Sequence, residues 1–266
     1  MAQKITPTLF FVMAALIVVV HAGSAGADEP LVTDRPDFTE SSSSVGRGVL
    51  QLEAGATYVD FEGGTRVATL GEVLLRWGIV ERLELRFLLP TYAWEDGRGY
   101  DASGFVDTGI GLKYQFKDPR GAGIIGGMEA AVIASTTLPT ASGDFESSQL
   151  QPGAVASLGW DLSRDLGLGM NFGIASPVDG GDRFTSLWIS AALGIGLTDT
   201  TSVFVELFGF DREEDRGPNT LTFQTGATYL LSDDLQLDLR AARRLSDSGP
   251  DLLLGAGVSM RWGHGQ

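Results

Sequence analysis

The sequence predicts an all-β protein that forms a transmembrane antiparallel up-and-down β-barrel of about 12 strands. Three observations support this fold. Segments of strand length with alternating apolar and polar residues fill the chain from residue 48 onward. The charges of these segments fall on one face, and short connections alternate with longer acidic ones. No later apolar run approaches the roughly 18 residues that a membrane helix needs, so a spanning chain must close into a barrel.

The N-terminus has the features of a cleaved signal peptide, residues 1–27. Lys4 gives a positive start, residues 9–20 form an apolar run too short to cross a bilayer, and residues 25–27 read Ala-Gly-Ala, a cleavage-site pattern. We therefore expect residues 28–47 to form a periplasmic extension and residues 48–266 to form the barrel.

The composition excludes several classes of protein. The chain has no cysteine, 36 glycines and a mean hydropathy of +0.09. These values suit neither a disulfide-stapled secreted domain nor a helical membrane protein. The formal net charge is −15, and removing the signal peptide with its single Lys4 makes it more negative. Nucleic acid is an unsuitable partner, because phosphate binding needs clustered Lys and Arg.

Alternation and turn residues predict the position of each strand. We place the strands near residues 48–61, 65–77, 82–92, 104–116, 124–138, 152–162, 166–176, 184–197, 201–210, 219–231, 235–245 and 250–262. The short connections are "GIVE" (78–81), "KDPRGAG" (117–123), "SRD" (163–165), "TDT" (198–200) and "SDD" (232–234). The longer ones include "AWEDGRGYDAS" (93–103), "PTASGDFESSQLQ" (139–151), "SPVDGGD" (176–182) and "DREEDRGP" (211–218). Short periplasmic turns and longer outer loops are typical of outer-membrane barrels.

One face of the predicted strands carries no charge, as in the strand at 166–176 with Leu166, Leu168, Met170, Phe172 and Ile174. A charged Arg or Lys on a lipid-facing surface costs about 2–4 kcal/mol at the bilayer midplane, so this sorting suits a lipid-facing exterior. A soluble β-sandwich also sorts its charges, with the apolar face inward. The aromatic rings favour the barrel, because those on the apolar face lie near the short-turn ends, as in an interfacial girdle. They are Trp77, Tyr114, Phe116, Trp160, Tyr229 and Trp262.

The opposite face is expected to line the lumen and to form the path of a solute. Its candidate residues are Arg66, Glu72, Arg76, Glu84, Arg86, Lys113, Glu129, Glu206, Asp238 and Arg240, with Phe204 and Phe208 as aromatic candidates. Each charge has an alternative role as an interior ion pair that only holds neighbouring strands together. The phenylalanines either favour aromatic solutes or simply fill the interior.

Catalysis is not expected. The two histidines are His21, lost with the signal peptide, and His264 near the end, so no histidine base lies within the barrel. Without cysteine or a histidine pair, we expect no metal site, and we expect no cofactor. Carboxylates such as Glu72 and Glu84 lie close in sequence to Arg76 and Arg86, as in lumen ion pairs.

The leading hypothesis is passive passage of small solutes through a narrow lumen in the bacterial outer membrane. The first alternative is a structural or interaction barrel with a blocked lumen, because Leu70, Leu74, Leu88 and Leu253 are expected to point inward. The second alternative is a soluble periplasmic binding protein. The expected partners are a small solute, outer-membrane lipid, lipopolysaccharide near the acidic loop at 211–215, and the barrel-assembly machinery during biogenesis.

The stretch "LVTDRPDFTE" (31–40) does not suit a strand, because its charges do not alternate with apolar residues and Pro36 lacks a backbone donor. We hypothesise that it folds into the lumen mouth as a plug. Its acids, Asp34, Asp37 and Glu40, would then meet Arg76, Arg86 or Arg240, and Arg35 would meet Glu72 or Glu84. The alternative is a solvated linker.

Five motifs resemble a bacterial family of outer-membrane transporters labelled the MetA-pathway of phenol degradation family. They are "TDRPDFTES" (33–41), "QLEAG" (51–55), "LRWGIVERLELR" (75–86), "GLKYQF" (111–116) and "LPT" (138–140), of which the first and third are the most specific. The resemblance implies a transporter-type barrel, and some members are associated with the degradation of aromatic compounds. It implies no catalytic residues. Residues 45–48 and 79–81 depart from the family's usual Val-Pro-x-Gly and Leu-Thr-Asp, which leaves subfamily and substrate open.

Overall fold

A computed structural model describes residues 30–117, 127–146 and 148–263. The predicted signal peptide (1–27), most of the predicted "KDPRGAG" turn and His264 lie outside these ranges. Seventeen strands and one short 3-10 helix (Gly143–Phe145) are found within them. The strands are β1 (Leu50–Phe61), β2 (Arg66–Leu70), β3 (Leu74–Val80), β4 (Leu83–Leu88), β5 (Tyr92–Gly97), β6 (Tyr100–Phe105), β7 (Thr108–Lys117), β8 (Met128–Leu138), β9 (Gln151–Ser163), β10 (Leu166–Ala175), β11 (Val178–Asp179), β12 (Asp182–Arg183), β13 (Ser186–Gly196), β14 (Thr201–Phe210), β15 (Thr220–Ser232), β16 (Leu235–Arg244) and β17 (Pro250–Trp262).

The strands form one closed antiparallel barrel, as the sequence predicted. Consecutive spanning segments of the chain pair with each other, and β17 pairs with β1 to close the sheet. Three of the twelve spanning segments consist of two strands each, β2 with β3, β4 with β5, and β6 with β7. The pair β11 and β12 forms a separate small hairpin. We call the end with the short turns the turn end and the opposite end the loop end; short turns face the periplasm in such barrels.

The exterior of the barrel is apolar and its interior is polar. Ile110, Leu112, Ile189 and Leu239 are exposed on the outer surface. The charged residues Arg76, Glu84 and Lys113 are completely buried inside. A β-sandwich would bury the apolar face instead, so this distribution excludes the sandwich and matches a barrel surrounded by lipid. Exposed rings at the turn end, including Trp77, Tyr114, Phe116 and Tyr229, form the expected girdle.

Within the described residues no helix has the length and apolar character needed to cross a membrane.

The strand interruptions change which face points outward, and this corrects several predictions. Beyond the break at Gly71, where φ is +78°, Ala68 pairs with the outward Tyr58 and Thr69 pairs with the buried Thr57. A shift of one residue moves every side chain to the other face. Arg66 therefore lies outside the lumen, with its side chain 55% exposed and 3.9 Å from Asp60. The prediction of Arg66 as a lumen residue is wrong.

Two further predictions are wrong in the same part of the barrel. Leu70 shares the outward face with Ala68 and is 58% exposed, so it does not fill the lumen. The stretch at 93–103 was expected to be a loop, but it lies in the β5–β6 hairpin, which extends the wall at the loop end. Pro90 stands between β4 and β5, where a residue without a backbone donor interrupts the ladder.

Candidate functional site

Residues 30–47, which we call the lumen segment, enter the barrel from the turn end and return there. The Leu31 N–H donates to the Asp233 carbonyl in the β15–β16 turn (2.8 Å), and the Gly48 N–H donates to the Gly78 carbonyl in β3 (2.8 Å). Between these points, residues of the segment contact the inner faces of most of the wall strands. Both ends of the segment are thus fixed at one mouth, and its middle lies in the lumen.

Asp34 lies at the centre of the first group of charges. Its carboxylate is 2.6 Å from Arg86 Nη1, 3.1 Å from Lys113 Nζ and 3.6 Å from Arg76 Nη1. Its backbone N–H donates to Glu53 Oε2 at 2.9 Å. Burial alone would raise the pKa of Asp34, but the charges of Arg76, Lys113 and Arg86 hold it well below its usual value.

The wall part of this group carries a surplus of positive charge. The wall contributes three cations, Arg76, Arg86 and Lys113, and two carboxylates, Glu53 and Glu84. Their side chains are at most 5% exposed. A buried charge without a partner destabilises a protein by about 3–5 kcal/mol. Asp34 therefore neutralises the surplus positive charge of these buried wall residues, and Glu40, which is 32% exposed, adds a second carboxylate beside Arg86.

A second group of charges has the opposite balance. Its wall residues are one cation, Arg240, and two carboxylates, Glu72 and Asp238. Arg35 of the lumen segment supplies the missing cation, with Nη1 3.2 Å from Glu72 and Nη2 3.2 Å from Asp238. Arg240 Nη1 also donates to the Pro36 carbonyl of the lumen segment (3.3 Å). The adjacent Asp34 and Arg35 thus each neutralise one group.

Glycines make room for Arg35. A Cβ atom added at Gly55 or Gly257 would overlap the Arg35 side chain. These two glycines lie opposite each other in β1 and β17. The guanidinium therefore lies flat against a part of the wall that has no side chains.

The middle of the lumen segment reaches β14. The Phe38 ring stacks on Phe208 at a centroid distance of 4.5 Å and meets the edge of Phe210 at 5.5 Å. The backbone N–H groups of Phe38 and Thr39 donate to the Glu206 carboxylate at 2.9 and 2.7 Å. The Glu206 carboxylate forms no ion pair with any described residue, and backbone donors of the lumen segment supply hydrogen bonds instead.

The following residues cross to β9 and β10. The Glu40 N–H donates to Asn171 Oδ1 (2.7 Å), and the Glu40 carbonyl accepts from Ser157 Oγ (2.7 Å). The Glu40 carboxylate is 2.9 Å from Arg86. Ser42 and Ser43 donate to Glu129. The segment therefore contacts opposite sides of the lumen at once.

Asp37 differs from the other acids of the segment. It has no hydrogen-bond or ion-pair partner on any other described residue, so the expected pairing with Arg76, Arg86 or Arg240 does not occur. Burial and the nearby Glu206 carboxylate raise the pKa of Asp37 well above its usual value. Arg35 pairs with Glu72, one of its two expected partners, and also with Asp238, which was not expected.

With Arg66 excluded, the structure places the other candidates inside the barrel. They are Glu72, Arg76, Glu84, Arg86, Lys113, Glu129, Phe204, Glu206, Phe208, Asp238 and Arg240. Sequence reasoning missed Glu53 as a candidate, although its place in the alternation of β1 gives it an inward face. It also missed Phe38, which no local pattern distinguishes from a linker residue.

Two cavities remain between the lumen segment and the wall. The larger, of about 550 Å³, lies against β9, β10, β13 and β14, and the smaller, of about 330 Å³, lies near Arg76, Gln115 and Glu129. Among the described residues no group of three or more His, Cys, Asp or Glu side chains is arranged to hold a metal ion.

A closed barrel of twelve spanning segments with an apolar exterior and a charged lumen defines the class of outer-membrane β-barrels. Residues 33–262 match the family described as "Putative MetA-pathway of phenol degradation", and the chain belongs to this family. The resemblance found in the motifs is thereby confirmed.

Three solved structures of similar fold are distant in sequence. An outer membrane channel from Pseudomonas putida F1 is 15% identical with a TM-score of 0.63, over 90% of this chain and 100% of that one. The NanC porin is 12% identical with a TM-score of 0.54, over 79% and 98%. The CymD monoaromatic hydrocarbon channel is 9% identical with a TM-score of 0.50, over 83% and 90%. No curated protein sequence matches the chain. At these identities the likeness establishes the fold.

Proposed function

We propose that the barrel is a channel for the passive passage of small solutes across the outer membrane, and that the lumen segment controls it as a plug. The observation that carries the proposal is a polar lumen that stays incompletely filled, with a cavity of about 550 Å³ beside the segment. A barrel with a purely structural role needs no such space. The channels and porins of similar fold support the same function.

The path that we propose runs along the wall formed by β9, β10, β13 and β14. Gly167, Gly169, Ala192 and Gly194 of this wall line the larger cavity. Contacts of Glu40 with Asn171 and Ser157 cross the lumen above these residues. Passage would therefore need a movement of the tip of the segment, residues 37–40, whereas Asp34 and Arg35 stay bound to the opposite wall.

Aromatic compounds are the solutes that we propose. Phe38, Phe208 and Phe210 form a ring cluster, and Trp188 lies 6.0 Å from Phe210. Trp188 is placed over Gly173, where an added Cβ would overlap its ring. Rings of this kind offer stacking and edge contacts to an aromatic solute. The family description and the name of the CymD channel support this choice.

We propose passage and not catalysis, because the lumen carboxylates other than Asp37 and the solvent-exposed Asp161 are engaged in ion pairs or hydrogen bonds with the wall and the segment. We also propose that outer-membrane lipid surrounds the apolar band, and that the acidic loop at 211–215 faces lipopolysaccharide. Biogenesis would involve the barrel-assembly machinery.

Swelling of liposomes that contain the purified protein tests the function. We expect phenol-sized aromatics to enter faster than sugars of matched size, and planar bilayers to show reproducible current steps. Equal rates for both classes of solute would reject the aromatic preference. Protein-free liposomes are the control.

The alternative is a structural or interaction barrel with a permanently blocked lumen. The contacts of the lumen segment with opposite walls favour it. Planar bilayers without reproducible current steps, at a protein density where a porin gives them, would support this alternative and reject the channel.

A further inference from the structure

The larger cavity has a one-sided charge. Four carboxylates line it, from Asp37, Glu40, Glu129 and Asp161, and its described lining contains no Lys or Arg. Glu40 is paired with Arg86, and Glu129 accepts hydrogen bonds from Ser42 and Ser43. Asp37 and the solvent-exposed Asp161 have no hydrogen-bond or ion-pair partner on another described residue. The cavity therefore offers acceptors to whatever occupies it, and a cation placed there would offset the burial and the Glu206 charge that raise the pKa of Asp37, which favours the ionised carboxylate.

The space in the cavity results from glycine. A Cβ added at Gly167 would meet only the Trp160 carbonyl, at 3.9 Å, and one added at Gly194 would meet only the Gly167 carbonyl, at 4.0 Å. At Gly55 and Gly257, in contrast, the corresponding space holds the Arg35 side chain. Gly167 and Gly194 are thus not covered by any side chain of the lumen segment, whereas Gly159 and Gly169 of the same lining meet Ser42 and Thr39.

One apolar ring accompanies the charges. Phe204 lines the same cavity and is 6% exposed. It lies two residues before Glu206 on the inner face of β14, and Glu206 is bound by Phe38 and Thr39. A ligand in the cavity would therefore meet part of an aromatic side chain together with an unpaired carboxylate.

We propose that this cavity binds small organic cations, with Asp37 as the anionic contact and Phe204 as the apolar wall. The inference rests on the proposed passage of solutes, and it adds a charge class to the aromatic preference. Carboxylate-bearing aromatics are disfavoured, because an anion in the cavity would face several carboxylates and no described cation. The expected affinity of the cavity for neutral aromatics lies between its affinities for organic cations and for carboxylate-bearing aromatics.

Calorimetric titration of the full protein in detergent micelles tests the site with three probes that differ mainly in charge. The probes are benzylamine, which is protonated at neutral pH, benzyl alcohol and benzoate. We expect benzylamine to bind about tenfold more tightly than benzyl alcohol, which corresponds to about 1.4 kcal/mol, and benzoate to bind most weakly. Equal affinities for the three probes would overturn the proposal.

Two variants assign the effect to the cavity. Asp37→Asn keeps the size of the side chain and should remove most of the preference for benzylamine. Asp199→Asn is the matched control, because it also removes one negative charge at the same end of the barrel. Asp199 is 98% exposed and lies outside the cavity. A benzylamine preference that survives Asp37→Asn, or disappears equally in Asp199→Asn, would contradict the proposal. Heat-modifiable gel mobility checks that each variant is folded.

A third variant separates space from charge. Gly194→Leu should fill the cavity and lower the affinity for all three probes, whereas Asp37→Asn should change the order of the three affinities. Undiminished binding in Gly194→Leu would place the ligand elsewhere. Liposome swelling then tests passage independently. Selective binding without uptake would support the cation site and reject the channel. Uptake without selective binding would support the channel and reject the cation site.

Discussion

The two sides of the lumen differ in how they contact the lumen segment. On the charged wall, formed by β1, β3, β4, β7 and β16, long side chains surround Asp34 and Arg35 with ion pairs. On the small-residue wall, formed by β9, β10, β13 and β14, glycine and alanine leave a cavity. Both walls have the same alternation of inward and outward residues. The comparison teaches that charge balance positions the segment, whereas the absence of side chains creates the space.

The charge balance also explains why two adjacent residues of opposite sign stand in the segment. Asp34 compensates a wall group with surplus positive charge, and Arg35 compensates one with surplus negative charge. Exchanging the two residues would place each beside like charges. The segment is therefore specified in register as well as in position.

The largest expected effect comes from removing the segment. Deletion of residues 31–40 takes three carboxylates and one guanidinium out of the lumen, and opens the space between the two walls. We expect a severalfold increase in single-channel current and a shift of ion selectivity toward anions. Planar-bilayer conductance and reversal potentials measure both.

Heat-modifiable mobility of the deletion variant serves as the control for an intact barrel. A folded deletion variant with unchanged current and selectivity would mean that residues 31–40 do not obstruct the path.

The next effect concerns charge on one wall. Asp34→Asn leaves the buried Arg76, Arg86 and Lys113 against the buried Glu53 and Glu84, with the partly exposed Glu40 beside Arg86, so we expect a loss of about 3 kcal/mol in the free energy of unfolding. Lys113→Met in the same chain restores the balance among the buried wall charges and should recover part of the loss. Denaturant unfolding of the four members of this double-mutant cycle measures the coupling. Additive losses would show that charge balance does not hold the segment.

A smaller effect compares the same substitution on both walls. Gly55→Ala places a methyl group where the Arg35 guanidinium lies, and we expect a loss of about 1–3 kcal/mol and a higher current as the segment loosens. In Gly167→Ala the added methyl group has only one atom near it, 3.9 Å away, so the denaturation midpoint should stay unchanged. Equal effects of the two substitutions would remove the distinction between the walls.

Much of the barrel is predictable because alternation is a local property. The prediction placed strands at 201–210 and 250–262, and the structure has β14 (Thr201–Phe210) and β17 (Pro250–Trp262) there. Arg76 and Glu84 were predicted to face the lumen from the same alternation. The breaks near Gly71 and Pro90 were not predictable, because a one-residue shift leaves the composition of a segment unchanged while it exchanges the faces.

The partners within the site were less predictable than its members. Charge complementarity predicted that Asp34 would meet arginines and that Arg35 would meet a carboxylate. It did not distinguish Asp238 from Glu84 as a partner of Arg35, because Asp238 is 203 residues distant and its position depends on closure of the barrel. Phe38 had no local signal, since its ring contacts with Phe208 and Phe210 exist only in the folded lumen.

The smallest expected effect tests the face exchange at Gly71. Arg66 lies outside the barrel in an exposed pair with Asp60 at 3.9 Å, and such pairs contribute about 0–1 kcal/mol. Arg66→Gln should therefore change neither the current nor, by more than about 0.5 kcal/mol, the free energy of unfolding. Arg76→Gln is the matched comparison, because Arg76 is completely buried beside Asp34, Glu53 and Glu84, and its loss should alter both quantities. A change of ion selectivity in Arg66→Gln comparable to that in Arg76→Gln would return Arg66 to the lumen and contradict the pairing of β1 with β2.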